Sequence, residues 1–127
     1  MSVRLNHTIV SCRDQQQSAA FLAGILGLPP ATRFGPFLVV AADNDVSLDF
    51  RATSGPITPQ HYAFLVSDDA FDAAFGRIRE RQVRYWADPG QSRPDEINHR
   101  DSGRGVYFED PDGHLLEILT RPYGSGA

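Results

Sequence analysis

The sequence is poor in three features, and each shortage excludes a class of protein. It holds one cysteine, Cys12, so no disulfide forms within the chain, which is typical of the reducing cytoplasm. No apolar run approaches the ~20 residues of a membrane span, and the start lacks a signal-peptide pattern. The 12 basic and 16 acidic side chains give a net charge of −4, which provides no basic surface for nucleic acid or an anionic membrane. We therefore predict a cytoplasmic protein that binds neither nucleic acid nor a membrane.

What the sequence does hold is enough apolar material for one compact domain. Its 127 residues are 41% hydrophobic and 22% charged, as in ordinary globular proteins. Cys12 is interpreted as a buried strand residue. A reactive thiol is the alternative, because a helix start follows closely.

The segment 105–119 has the pattern of two strands joined by a tight turn. Pro111 favours the second turn position, and Gly113 accepts a positive φ. A carboxylate in the middle of the second, apolar strand is costly to bury unless it is paired or binds a metal. Glu117 is therefore the residue that needs an explanation. By strand alternation His114 is placed on the opposite face, where we expect it to be exposed to solvent.

An internal repeat determines the fold prediction. A strand, a helix and three strands occupy residues 1–52. After a linker at 53–59 the same order returns in 60–122. The second copy carries an extra polar segment, 88–102, which is either a mobile lid or a surface turn without a role. We predict one α+β domain in which two tandem βαβββ modules form a curved mixed sheet around a cleft.

The two helices are placed by their capping residues. Asp14, followed three residues later by Gln17, is a capping-box pattern, and Gly27 suits the helix end. Asp68 is expected to cap the second helix, which extends to about residue 80.

The repeat aligns polar strand residues with one another. A shift of 54 residues superimposes His7 on His61, and a shift of 68 superimposes Asp49 on Glu117. Two imidazoles and a carboxylate with open positions bind Fe(II) and suit Mn, Ni, Co or Zn. We predict that His7, His61 and Glu117 bind one divalent ion, with Asp49 as a fourth ligand or a base. Taken singly, each histidine is explained as a core or rim residue. Glu117 alone is explained as the partner of Arg104 or Arg51 in a buried ion pair.

The repeat, the two histidines and the segment 107–114 leading to Glu117 resemble the vicinal oxygen chelate superfamily. That family includes glyoxalase I, fosfomycin-resistance proteins, extradiol dioxygenases and bleomycin-resistance binding proteins. The resemblance covers essentially the whole chain and implies that His7, His61 and Glu117 are metal-ligand positions. Asp49 matches the fourth position, where glyoxalase I has Glu. The resemblance also implies a homodimer, which apolar strand edges favour independently.

Two functions are compatible with these residues. The first is metal-dependent catalysis on a small substrate with vicinal oxygens, glyoxalase- or dioxygenase-like, with Tyr107 or His99 as proton donor. The alternative is an antibiotic-resistance protein that sequesters an aromatic drug without chemistry. The residues predicted to contact the substrate or drug are Phe37, Trp86, Arg104 and Tyr107.

Overall fold

The computed structural model describes residues 2–126, in two compact units that divide after Thr58. The first unit contains β1 (His7–Cys12), α1 (Gln15–Leu26), β2 (Thr32–Phe34), β3 (Phe37–Ala41) and β4 (Ser47–Ala52). The second contains β5 (His61–Leu65), α2 (Asp68–Glu80), β6 (Tyr85–Trp86), β7 (Gly105–Glu109) and β8 (Leu115–Leu119), with a 3₁₀ turn at Arg100–Ser102. No helix in the described part of the chain is long and apolar enough to cross a membrane.

Both units have the same sheet topology. The strand orders are β1-β4-β3-β2 and β5-β8-β7-β6, and in each sheet only the first pair is parallel. The predicted α+β class and the repeated βαβββ order are therefore confirmed. In each unit the strand histidine pairs with the residue two positions before a carboxylate. His7 pairs with Ser47, two residues before Asp49, and His61 pairs with Leu115, two residues before Glu117.

Both helices begin at side-chain caps. The Asp14 carboxylate accepts a hydrogen bond from the Gln17 amide at 3.1 Å, and Gly27 ends α1 with φ of 70°, as predicted. The cap of α2 was predicted one residue too late. Ser67 has the extended backbone of an N-cap, and its hydroxyl oxygen accepts from the Ala70 amide at 3.1 Å. Asp68 is instead the first helical residue, where its negative charge interacts favourably with the positive end of the helix dipole.

Each sheet has an apolar core of its own. In the first unit the buried side chains include Val10, Cys12, Leu22, Ile25, Val40, Leu48 and Phe50. In the second they include Phe71, Ala74 and Ile78 of α2 and Val106, Phe108, Leu116 and Ile118 of β7 and β8. Because strand residues alternate between faces, Glu117 points to the face opposite Leu116 and Ile118.

The hairpin between β7 and β8 forms around the predicted turn. The Gly113 amide donates to the Asp110 carbonyl at 3.1 Å, and Gly113 has a φ of 87°. The expectation that His114 faces solvent was wrong, since the residue is only 1% exposed. Its Nδ1 accepts a hydrogen bond from the Gln60 amide at 2.9 Å, so the segment before β5 covers the ring.

The polar segment 88–102 is fastened to the second sheet by a buried asparagine. The backbone of Asn98 exchanges two hydrogen bonds with Gly105, and its side chain donates to the Ala87 carbonyl at 2.9 Å. Earlier in the segment, the Asp88 carboxylate accepts from the amides of Ser92 and Arg93. The side-chain hydrogen bond from Ser92 is the main cause that lowers the pKa of Asp88.

Candidate metal centre

Glu117 lies in the middle of β8 and is 1% exposed. Its Oε1 is 3.2 Å from Nε2 of His61, which stands on the neighbouring parallel strand. The hydroxyl of Tyr123 is 2.6 Å from both carboxylate oxygens. The carboxylate that the sequence left unexplained is therefore held by two polar side chains.

The hydrogen bond that His61 makes through Nδ1 leaves Nε2 directed at this carboxylate. Nδ1 lies 3.0 Å from the Leu115 carbonyl oxygen, which can only accept, so Nδ1 carries the proton. In the neutral ring Nε2 is then an acceptor that faces a second acceptor, Oε1 of Glu117. Two such atoms repel each other unless a cation shares them, either a proton on Nε2 or a metal ion. A 3.2 Å separation suits adjacent ligands each ~2.1 Å from one ion, so the pair fits a divalent metal.

A chain of hydrogen bonds leads from this pair to a guanidinium group. The hydroxyls of Tyr107 and Tyr123 are 3.0 Å apart, and Nη1 of Arg100 donates to the Tyr107 oxygen at 2.9 Å. Burial, followed by the hydrogen bond to Glu117, raises the pKa of Tyr123 well above its ordinary value, so this hydroxyl keeps its proton. The ring of Tyr107 also stacks against His61, with centroids 5.9 Å apart.

His7 and Asp49 line a separate pocket in the first unit. The Nδ1 atom of His7 lies 2.7 Å from Oδ1 of Asn6, so a donor Nδ1 leaves Nε2 with its lone pair, as in His61. The Ser47 hydroxyl donates to Oδ1 of Asp49 at 2.9 Å. The pocket has a volume of about 470 Å³ and is lined by Asn6, His7, Thr32, Arg33, Phe34, Phe37, Val39, Ser47 and Asp49.

Arg104 binds α2 rather than Glu117. Its guanidinium donates to the Asp72 carboxylate at 2.6 Å and to the Asp68 carboxylate at 3.2 Å, and it lies over the Phe71 ring. The alternative of a buried ion pair between Arg104 and Glu117 was therefore wrong. Both terminal nitrogens of Arg104 thus donate to α2, and its predicted role in substrate binding stays a prediction.

The remaining predicted residues have different surroundings. Phe37 lines the first-unit pocket, and its role as a substrate contact stays a prediction. Trp86 is 5% exposed and lies beneath the Arg84 guanidinium, and Tyr107 is 2% exposed. Both rings are therefore buried in the second unit, and their role as substrate contacts stays a prediction. His99 is exposed in the polar segment.

The structure brings together two of the three predicted metal ligands, His61 and Glu117. No group of three or more His, Cys, Asp or Glu side chains is placed to hold a metal ion among residues 2–126. Sequence reasoning missed Tyr123, which donates to Glu117, and Arg100, which donates to the Tyr107 hydroxyl next to Tyr123. The available signal was one aromatic residue in a tail otherwise rich in Gly and Ser.

Comparison with known proteins gives a consistent result. The model of the Glyoxalase/Bleomycin resistance protein/Dioxygenase superfamily matches residues 4–118. The solved structure of oxidase ChaP-H1 is 67% identical, with a TM-score of 0.95, over 97% of this chain and 99% of that one. Oxidase ChaP-H2 is 64% identical, with a TM-score of 0.97, over 100% of both chains. Glutathione transferase FosA of Serratia marcescens is 31% identical over 121 residues, 90% of this chain and 78% of that protein.

Proposed function

The chain belongs to the glyoxalase/bleomycin resistance protein/dioxygenase superfamily, and from this premise we propose that it is a divalent-metal-dependent enzyme acting on a small substrate with vicinal oxygens. The observation that carries the proposal is the pair formed by His61 and Glu117. Nε2 of His61 and Oε1 of Glu117 are 3.2 Å apart, and a divalent metal is a cation that a buried carboxylate and an imidazole nitrogen can share.

We propose His7 as the third ligand. Its Nδ1 is turned to Asn6 in the same way that Nδ1 of His61 is turned to a carbonyl, so both rings present Nε2. Hydrogen bonds of this kind fix the tautomer and orientation of metal-binding histidines. Asp49, held by Ser47, is proposed as a base or fourth ligand beside His7. The family resemblance implies that modules pair across chains, so His7 is proposed to come from a second copy.

Among the chemistries of this family, we propose oxidation of the substrate by O₂. The support is that two proteins named oxidases are 67% and 64% identical over nearly the whole chain, against 31% for the glutathione transferase. The metal, when bound, would polarise the substrate oxygens and hold the substrate beside O₂. In this reaction the substrate loses the electrons that O₂ accepts.

The first-unit pocket supports an aromatic substrate. Phe34 is 74% exposed and, with Phe37, lines the pocket that also contains His7 and Asp49. Aromatic side chains favour planar rings through offset stacking and apolar contact. A substrate with two adjacent ring oxygens would place its ring against Phe34 and Phe37, with the oxygens directed toward His7.

The second candidate function is sequestration of an aromatic natural product without chemistry. The same pocket supports it, because stacking on Phe34 and Phe37 requires no metal. The two functions differ in what happens to the bound compound. An enzyme converts it, and this conversion depends on His61 and Glu117, whereas a sequestration protein returns it unchanged.

The test uses the full chain loaded with Fe(II), Mn(II) or Co(II) in the absence of air. After exposure to O₂ with an ortho-dihydroxynaphthalene as probe, oxygen uptake and product mass are measured. We expect uptake in the loaded protein and its loss in His61→Ala. Tight binding of the probe with no conversion under any metal would support sequestration. Conversion only when glutathione is present would support a transferase and contradict the oxidase proposal.

A further inference from the structure

The tail that follows β8 folds back onto the carboxylate that β8 carries. Tyr123 lies six residues after Glu117, yet its hydroxyl is 2.6 Å from both Oε1 and Oε2. The residue as a whole is 59% exposed although its hydroxyl reaches the buried carboxylate, so packing around Tyr123 does not by itself account for this position. What fixes the tail is its contacts with the turn at Arg100–Ser102.

Asp101 fastens the tail through backbone hydrogen bonds. Its two carboxylate oxygens accept from the amides of Gly124 and Gly126, each at 3.2 Å. Asp101 and Ser102 both have a positive φ, 55° and 61°, which is uncommon for residues other than glycine. Strained backbone of this kind persists where contacts with the surrounding structure stabilise it. Here the hydrogen bonds from the tail to Asp101 are part of those contacts.

The hydrogen bonds that link Arg100, Tyr107, Tyr123 and Glu117 all have the same donor-to-acceptor direction. Arg100 can only donate, so the Tyr107 oxygen accepts from it at 2.9 Å. An ionised Glu117 can only accept, so the Tyr123 hydroxyl donates to it. The remaining proton, on Tyr107, is then directed at the Tyr123 oxygen across 3.0 Å. The series runs from a guanidinium to a carboxylate, which makes each hydrogen bond stronger than one between isolated neutral groups.

We propose that Tyr123 is a positioning residue for the metal-binding carboxylate, held in place by the contact of Asp101 with the tail. The hydroxyl fixes the rotation of the Glu117 carboxylate, so that Oε1 faces Nε2 of His61. This inference rests on the proposed metal-dependent function and assigns to the tail a part in forming its site. Hydrogen bonds to a ligating carboxylate contribute to metal affinity because they orient the ligand before the ion arrives.

The first test measures Co(II) affinity by competition with a chelator, together with the Co(II) absorption spectrum. We expect Tyr123→Phe to weaken Co(II) binding about 10- to 100-fold, the range typical of outer-shell partners. The matched control is Tyr85→Phe, the same chemical change on β6, where the ring packs against Phe75. The control should keep the wild-type affinity and spectrum.

A second variant separates the tail from the hydroxyl. Asp101→Ala removes the acceptors of the Gly124 and Gly126 amides, so hydrogen exchange at these amides should accelerate in the metal-free protein. Co(II) affinity should fall in the same direction as in Tyr123→Phe. Equal or tighter Co(II) binding by Tyr123→Phe overturns the inference and leaves the proposed function intact. Absence of Co(II) binding by the wild-type protein overturns both.

Discussion

Nε2 of His61 lies 3.2 Å from Oε1 of Glu117, across two neighbouring parallel strands. The register of these strands produces the contact, because His61 pairs with Leu115 and the next side chain on the same face of β8 is Glu117. The first unit repeats this register with His7 and Asp49. The side chain of Asp49 is one methylene shorter than that of Glu117. The two units therefore share the register, but only the second unit has the longer glutamate side chain at this position.

We expect the protein to form a homodimer in solution. β1 and β5 each stand at an edge of their own sheet, and Ile9 and Leu65 on these strands are 49% and 61% exposed. Such apolar edges favour association with a second copy. Light scattering at micromolar concentration should give a mass of about 28 kDa, twice the chain mass of 14.0 kDa. A persistent species of 14.0 kDa would contradict this expectation.

If His7 of one copy completes the site of the other, two inactive variants should complement each other. His7→Ala and His61→Ala are each expected to bind metal weakly. After mixing, unfolding and refolding, half of the dimers are mixed, and each mixed dimer holds one intact site. Metal binding should then recover to about a quarter of the wild-type sites. If the three ligands come from one chain, the mixture should bind no better than its components.

Much of the fold followed from the repeat, while the contacts around Glu117 did not. The repeat aligns strand with strand through shifts of 54 and 68 residues, which is why His61 and Glu117 could be assigned to one site from sequence alone. Arg104 was misplaced because strand alternation does not show that α2 offers it two carboxylates. Tyr123 was missed because its position depends on a tail held by Asp101, a contact with no local sequence signal.

The polar segment 88–102 should contribute to stability through Asn98. This side chain is 7% exposed, donates to the Ala87 carbonyl and lies against Gly105. Asn98→Ala leaves that carbonyl unpaired, so we expect the free energy of unfolding to fall by about 1–3 kcal/mol. Urea denaturation measures the change. The control is His99→Ala, an exposed neighbour, for which a change within about 0.5 kcal/mol is expected.

The preference for an aromatic ligand should depend on Phe37. Phe37→Leu keeps an apolar side chain in the pocket but removes the ring. Because aromatic pairs add about 0.5–1.5 kcal/mol beyond their buried area, affinity for an ortho-dihydroxynaphthalene should fall about 2- to 12-fold. Affinity for an aliphatic hydroxyketone, which cannot stack, should be unchanged. Calorimetric titration compares the two ligands, and equal losses for both would mean that Phe37 provides only bulk.

The central claim is that Glu117 is a metal ligand, and one titration tests it most directly. Wild-type protein and Glu117→Gln are titrated with a divalent ion at micromolar concentration after removal of bound metal. The variant keeps the shape of the side chain and the acceptor for Tyr123 but removes the anion. We expect one ion per chain in the wild type and a loss of affinity beyond the roughly 100-fold upper end for outer-shell changes. Equal affinity in both proteins, or no binding by either, would contradict the account.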